Sequence, residues 1–207
     1  MATNPERLIH AQIPLLSGKD KETTALALLR FEMRKTRLQF RRVFEAREAL
    51  EDKTEPPKTS EDFMNAQAML FADIHFLLVC LKKLDSILHK MQKYFPEDSK
   101  LLELRARYGR VFDLCGDIRD DLEHIEDRPG RGVTDLGSTF GPVFQINGKE
   151  LQIDYQFQAT IEAFYSELQL HYDSILTERR KTAGETHSWF KNVVRIPEIR
   201  NDKDGSL

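Results

Sequence analysis

The sequence predicts an all-α fold, an up-and-down bundle of four long helices with one inserted β-hairpin at about residues 143–153. Three observations predict it. Apolar residues recur at steps of three and four through four long stretches of the 207-residue chain. Segments rich in proline or glycine separate these stretches. Only near residues 143–153 does the pattern change to the alternation that is typical of strands.

The same patterns divide the chain into three parts. Residues 1–21 contain Pro5, Pro14 and Gly18 without a clear period, and they are predicted to form an irregular leader. Residues 22–183 are predicted to form the bundle domain with its hairpin insertion. Residues 184–207 are predicted to form a C-terminal tail.

The first two helices are separated by prolines at positions 56 and 57. The first is predicted from about Thr23 to Leu50, and the second begins at Thr59 or Ser60, since either residue is a good N-cap. The second helix carries a heptad-like apolar seam, which is expected where a long helix packs nearly parallel or antiparallel to its neighbours. The seam consists of Leu70, Ile74, Leu77, Leu81, Leu84, Leu88, Met91 and Phe95.

The third helix is predicted to begin at Asp98 or Ser99 and to end before the glycine-rich segment 128–132. Asn147-Gly148 then lies between two alternating runs and predicts a hairpin with a type I′ turn. A lone hairpin is marginal in water, so we expect it to lie on the bundle or on a partner chain. The fourth helix is predicted to run to about Lys181, with its apolar side formed by Phe157, Ile161, Phe164, Leu168, Tyr172 and Ile175.

Composition excludes several classes of protein. The chain has 31 basic and 34 acidic residues, a near-balance that argues against a surface coated with positive charge for nucleic acid. No uninterrupted apolar run reaches the ~18 residues of a membrane span, and the N-terminus lacks the order of a signal peptide. We therefore expect a cytoplasmic protein with no membrane partner. Cys80 and Cys115 lie on apolar stripes and are predicted to be buried, without a disulfide or zinc.

The densest group of titratable residues is the segment 119–124, in the last turns of the third helix. Its members include Arg119, Asp120 and His124. An imidazole can take and return a proton near neutral pH, and a nearby carboxylate can orient it. A guanidinium can hold a phosphate through two parallel hydrogen bonds and stabilise the charge of a phosphorane. Together these residues are the parts of a metal-free site that cleaves a phosphodiester.

Arg119, followed by the polar Asp120 and, after four intervening residues, by His124, resembles the motif of the HEPN superfamily. The resemblance implies a homodimer of helical bundles in which two motifs face each other, and a metal-independent endoribonuclease that needs no cofactor. It implies that Arg119 holds the scissile phosphate, that His124 is the general base or acid at the ribose 2′-hydroxyl, and that Asp120 supports either. It also implies a role in toxin–antitoxin or other defence systems, with RNA as substrate and a nucleotidyltransferase-type antitoxin as partner.

A structural interpretation of the same residues stays open. Arg119 and His124 are five residues apart, roughly 140° around a helix, and converge only if the arginine bends or a second subunit closes the site. Arg119–Glu123 and Asp120–His124 are then ordinary surface pairs, each stabilising by ~0.3 kcal/mol. In that case the chain is a non-catalytic interaction or scaffold protein.

A basic stripe on the first helix is the second candidate site. It consists of Arg30, Arg34, Arg37 and Arg41, spaced by four, three and four residues. Such a stripe could follow an RNA backbone or bind an acidic partner. Alternatively it is the solvent-exposed side of an amphipathic helix, an interpretation favoured by the lack of interleaved aromatic residues. No metal site is predicted, because only Asp121-x-x-His124 approximates half of a bundle metal motif.

Overall fold

A computed structural model describes residues 21–51, 59–124 and 138–182, and it confirms the all-α bundle with an inserted β element. Four long helices account for most of the described residues. The elements are α1 (Lys21–Glu51), α2 (Ser60–Tyr94), α3 (Ser99–Glu123), β1 (Ser138–Phe140), β2 (Val143–Ile146), β3 (Lys149–Gln152) and α4 (Tyr155–Thr182).

Side-chain caps determine where the two central helices begin. Thr59 and Asp62 form a capping box at the start of α2, in which each side chain accepts a hydrogen bond from the other's backbone N–H, both at 3.0 Å. Asp98 accepts the N–H groups of Lys100 and Leu101 at 3.0 and 3.2 Å and so begins α3. Of the alternatives that the sequence allows, Thr59 and Asp98 are therefore the N-caps.

Consecutive helices run antiparallel, because residues late in one helix contact residues early in the next. Helix α1 also packs on α4, so the four helices close into an up-and-down bundle. The contacts are Arg42–Asp73 between α1 and α2, His75–Glu123 and Asp85–Arg105 between α2 and α3, Asp98–Tyr172 and Phe112–Phe164 between α3 and α4, and Phe44–Tyr155 and Arg37–Glu162 between α4 and α1.

The core lies where the four apolar seams meet. Every residue of the predicted α2 seam is buried except Phe95, which is half-buried beyond the end of the helix. Aromatic rings fill the centre: Phe112 lies edge-on to Phe164 with ring centroids 5.0 Å apart. Burying a phenylalanine ring of this kind stabilises the fold by roughly 1.5–3 kcal/mol, so these seams hold the helices together.

Helix α2 is the most apolar element among the described residues. One 18-residue window of this helix has a mean hydropathy of 1.5. By length and composition alone the helix could therefore cross a membrane, although the sequence has no uninterrupted apolar run of 18 residues. The helix also carries two aspartates, Asp73 and Asp85, whose side chains are 6% and 3% exposed. Arg42 and Arg105 pair with them, so the bundle holds two nearly buried carboxylates on its most apolar described helix.

Two glycines of α3 leave space for the side chains of Arg105 and Lys82, which pair with Asp85. A Cβ placed on Gly109 would lie 3.3 Å from Arg105, and one on Gly116 would lie 3.0 Å from the Lys82 ammonium. Arg105 forms a close ion pair with Asp85, and Lys82 lies 3.6 Å from the same carboxylate. The two glycines are seven residues apart and therefore share one face of α3.

The inserted β element has three strands, one more than the sequence predicts. The strands are antiparallel in the order β1–β2–β3. Asn147 and Gly148, at φ 49° and 71°, form the predicted turn between β2 and β3, since both residues of a type I′ turn have positive φ. Phe144 lies edge-on to Phe71 of α2 at 5.7 Å, and Lys149 binds Asp121 of α3. The sheet thus lies on the bundle, as one of the two expectations has it.

The chain divides into two compact units, Met1–Tyr172 and Asp173–Leu207, with the division inside α4. The predicted leader, apart from Lys21 at the start of α1, and the predicted tail lie outside the described residues. Their predicted boundaries remain predictions.

Both cysteines are buried, as the sequence predicts, and both are free thiols. Burial raises the pKa of the Cys115 thiol to about 12, and the nearby Asp85 carboxylate acts in the same direction. Cys115 therefore behaves as a small apolar residue of the core.

Candidate functional site

Arg119 lies on α3 and is bound by a carboxylate of its own helix. Its Nε donates to Glu123 Oε1 at 3.0 Å and its Nη2 contacts Glu123 Oε2, which makes the pair bidentate. Its Nη1 donates to Asp120 Oδ1 at 3.2 Å. The Arg119–Glu123 pair of the structural interpretation is thereby confirmed.

A second helix contributes His75 to the same place. Its Nε2 lies 3.4 Å from Glu123 Oε1, and its ring stacks on that of Phe76 with centroids 6.1 Å apart and an interplanar angle of 21°. One carboxylate is therefore shared by a guanidinium from α3 and an imidazole from α2. We call the group Arg119, Asp120, Glu123, His124 and His75 the α2–α3 site.

The charges of this site are balanced around Glu123. The hydrogen bond from Arg119 lowers the pKa of the Glu123 carboxyl, and His75 adds to the effect, while slight burial opposes it. The carboxylate is therefore ionised at neutral pH and holds the guanidinium by charge as well as by hydrogen bonds.

His124 occupies the end of the helix rather than its interior. It is the C-cap of α3, exposed, with φ −102° and ψ 16°, and its backbone N–H donates to the Asp120 carbonyl at 3.1 Å. The spacing rules of an ideal helix do not set the direction of its side chain, because the backbone has already left helical geometry there. Arg119 and His124 thus lie at one end of α3, five residues apart.

The acidic character of the segment is reduced by a strand of the sheet. Lys149 on β3 donates to Asp121 Oδ2 at 2.8 Å and lies 3.4 Å from the Asp117 carbonyl oxygen. The Asp121 side chain is only 10% exposed. With Glu123 held by Arg119, two acidic residues of the segment have cationic partners in this structure.

The basic stripe on α1 is not one free surface. Arg37 makes two hydrogen bonds to Glu162 of α4, at 2.7 and 2.6 Å, and lies 5.1 Å from the ring centre of Tyr165. Arg37 therefore links α1 to α4. Arg34 and Arg41 are exposed, and no hydrogen bond or ion pair holds either one within the part of the chain that the structure describes. Arg30 is half-buried.

A second cluster, which the sequence gives no signal for, joins α4 to the start of α3. His171 Nε2 lies 2.9 Å from Asp98 Oδ2, and the buried Tyr172 hydroxyl donates to the same oxygen at 3.0 Å. Burial raises the pKa of Asp98, but hydrogen bonds from His171, from the Leu101 N–H and from Tyr172 outweigh it and hold the pKa below its usual value. Every donor of this cluster serves an N-cap, so we assign it a structural role.

A metal site would need several ligating side chains close together within residues 21–51, 59–124 and 138–182. Within these ranges no group of three or more His, Cys, Asp or Glu side chains is arranged to hold a metal ion. The Asp121-x-x-His124 pattern does not become a metal site among these residues, and the Asp121 carboxylate binds Lys149 instead.

Comparisons of the chain with family models, with curated proteins and with solved structures give no match in any of the three.

Proposed function

We propose that the chain is a metal-independent endoribonuclease of the HEPN type and that the α2–α3 site acts on the phosphodiester. The observation that supports this most directly is the Glu123 carboxylate, whose Oε1 lies 3.0 Å from Arg119 Nε and 3.4 Å from His75 Nε2. A carboxylate and a phosphate present a similar pair of oxygens to a guanidinium. A phosphate that replaces the carboxylate therefore meets the same fork of donors and an imidazole.

The proposed chemistry uses four side chains. His124 takes the proton of the ribose 2′-hydroxyl, and the 2′-oxygen attacks phosphorus to form a 2′,3′-cyclic phosphate. Arg119 holds the phosphate oxygens as negative charge develops, and Asp120 supports either residue. The bond to the 5′-oxygen breaks, and that oxygen takes a proton from an imidazole. His75 adds a second imidazole in reach of the site, so that one histidine acts as base while the other acts as acid.

Glu123 must release Arg119 before a phosphate can bind. The pair is partly exposed, with 26% of the Arg119 side chain and 33% of the Glu123 side chain accessible to solvent. Ion pairs between such residues contribute only ~0.2–1 kcal/mol, which a doubly hydrogen-bonded phosphate can replace. The resemblance adds a homodimer and a nucleotidyltransferase-type antitoxin to the proposal, which also keeps the cytoplasmic location expected from the sequence.

The test is an RNA cleavage assay in the presence of chelator, with the products analysed for 2′,3′-cyclic phosphate ends. We expect Arg119→Ala and His124→Ala each to abolish cleavage, by ~10²-fold or more, and His75→Ala to reduce it. Arg110→Ala, which removes an exposed arginine of the same helix, and His89→Ala, which removes another histidine of α2, are the matched controls and should retain activity. Wild-type protein that leaves diverse RNAs intact at high concentration would refute the proposal.

The second candidate is a non-catalytic interaction or scaffold bundle, and the Arg119–Glu123 ion pair favours it, since this pair also has a purely structural use. In that case no RNA is cleaved. Arg119→Ala and His124→Ala then change only the free energy of unfolding, by less than ~1 kcal/mol. Urea unfolding of the same variants, measured beside the cleavage assay, distinguishes the two candidates.

A further inference from the structure

The side of α2 that points away from the bundle has an apolar centre. Residues recurring at steps of three and four share one face of a helix. We call this surface the α2 face. It consists of Asp62, Asn65, Met69, Ala72, Phe76, Val79, Lys83, Ser86 and Lys90, all of them exposed except Val79, which is half-buried.

The apolar centre is too exposed to be explained by the bundle's own core. Met69 is 61% exposed and Phe76 is 55% exposed. Only 39% of the most apolar 18-residue window of α2 is buried, so this helix places much of its apolar surface outside the core. Aligned apolar side chains of this size on a surface are typical of interaction sites.

The two ends of the α2 face carry opposite charge. Asp62, in the acidic first turn of α2, lies at one end of the face. Lys83 and Lys90 lie on the same face toward the other end, exposed, and no ion pair holds either one among the residues that the structure describes. A helix that is acidic at one end, apolar in the middle and basic at the other complements an antiparallel copy of itself.

The spacing of these residues specifies the register of such a pair. Asp62 precedes Phe76 by 14 residues and Lys90 follows it by 14, two heptads in each direction. In an antiparallel pair centred on Phe76, the ring meets Phe76 of the second copy, and Asp62 lies opposite Lys90 at both ends. Ala72 leaves space for the ring beside it. The same patch then serves both copies, as a two-fold interface requires.

We propose that the α2 face is the contact between two copies of this chain, packed antiparallel about Phe76. This names the contact surface of the homodimer that the proposed function includes, and its tests are separate from RNA cleavage, because they measure only mass and orientation in solution. It bears on the α2–α3 site all the same: His75 stacks on Phe76, so the two copies of that site would flank the two-fold axis.

The first test is the molar mass of the full chain between about 1 and 100 µM, measured by sedimentation or by light scattering after size exclusion. We expect a species of about 48 kDa, twice the 24.1 kDa of one chain. Phe76→Glu places a carboxylate at the centre of the contact in both copies and should raise the dissociation constant by about 100-fold or more. Leu170→Glu makes the same change at a 71% exposed leucine of α4 and should leave the mass unchanged.

The second test concerns orientation. Lys90→Glu places like charges opposite each other in the antiparallel pair and should weaken it about five- to tenfold at low salt, and adding Asp62→Lys, at the residue opposite position 90, should restore the affinity. A monomer at 100 µM would overturn the proposal, and so would a dimer that survives Phe76→Glu. So would a monomer that floats with phosphatidylcholine–phosphatidylserine vesicles through Phe76, since the face would then bind lipid. Failure of the double variant to recover would overturn the antiparallel register.

Discussion

Replacing Asp98 with alanine removes a carboxylate that four hydrogen-bond donors share. The N–H groups of Lys100 and Leu101 lose their cap, and His171 and Tyr172 of α4 lose the carboxylate that joins them to α3. The N-cap contributes ~1 kcal/mol to the free energy of unfolding. Loss of the hydrogen bond from the buried Tyr172 hydroxyl costs ~1–3 kcal/mol, and loss of the partly exposed His171 pair adds ~0.5 kcal/mol.

We therefore expect Asp98→Ala to lower the free energy of unfolding by about 3 kcal/mol at pH 7. Urea unfolding followed by far-UV circular dichroism measures it, and with a slope of ~2 kcal/mol/M the midpoint should fall by about 1.5 M. Asp117→Ala is the control, because it removes an exposed aspartate of the same helix and should change the free energy of unfolding by less than ~0.5 kcal/mol.

Asp98→Asn separates charge from capping, since asparagine is as good an N-cap as aspartate. The Asp98 pKa is lower in the folded protein than in the unfolded chain, where it is ~3.9. The extra stability of the wild type over Asp98→Asn is thus fully present above pH 4 and declines as the pH falls through the lower, folded value. Equal midpoints for Asp98→Ala and the wild type at pH 7 would refute the assignment of this cluster to helix capping.

Two further predictions concern the turn and the core. Gly148→Ala places a Cβ at φ 71° and should lower the free energy of unfolding by ~1 kcal/mol in the same urea assay, whereas an unchanged midpoint would contradict the type I′ turn. The Cys115 thiol, with a pKa near 12 and no exposed surface, should resist iodoacetamide at pH 8 in the folded protein and react after unfolding in urea. Rapid labelling of Cys115 in the native state, detected by mass spectrometry, would show that the core around it is open.

Local chemistry made much of this fold predictable. The α2 seam, the caps at Thr59 and Asp98 and the turn at Asn147-Gly148 each depend on residues within a few positions of one another. The short strand β1 was missed, because three residues beside a glycine are too few to show a period. It is recognisable only through its pairing with β2.

In the candidate site, too, the contacts within one helix could be predicted from the sequence and the contacts between helices could not. The Arg119–Glu123 pair follows from a spacing of four residues on one helix, and the sequence predicts it. The contact of His75 with Glu123 spans 48 residues and depends on how α2 and α3 are aligned, which no spacing within either helix specifies. The loss of Arg37 from the basic stripe has the same cause, since its partner Glu162 is 125 residues away.

Gly109 and Gly116 of α3 restrict which residues can replace them. Where α3 lacks side chains at positions 109 and 116, the stems of Arg105 and Lys82 lie against its backbone and reach a carboxylate sealed between two helices. A methyl group at position 116 would press on the tip of Lys82 at 3.0 Å, a contact that flexible side chain can move to relieve. A branched residue there would displace the lysine further and leave Asp85 more dependent on Arg105. The substitutions that positions 109 and 116 tolerate therefore depend on the Asp85 carboxylate of α2 and the cations that pair with it. We expect Gly116 and Lys82 to vary together.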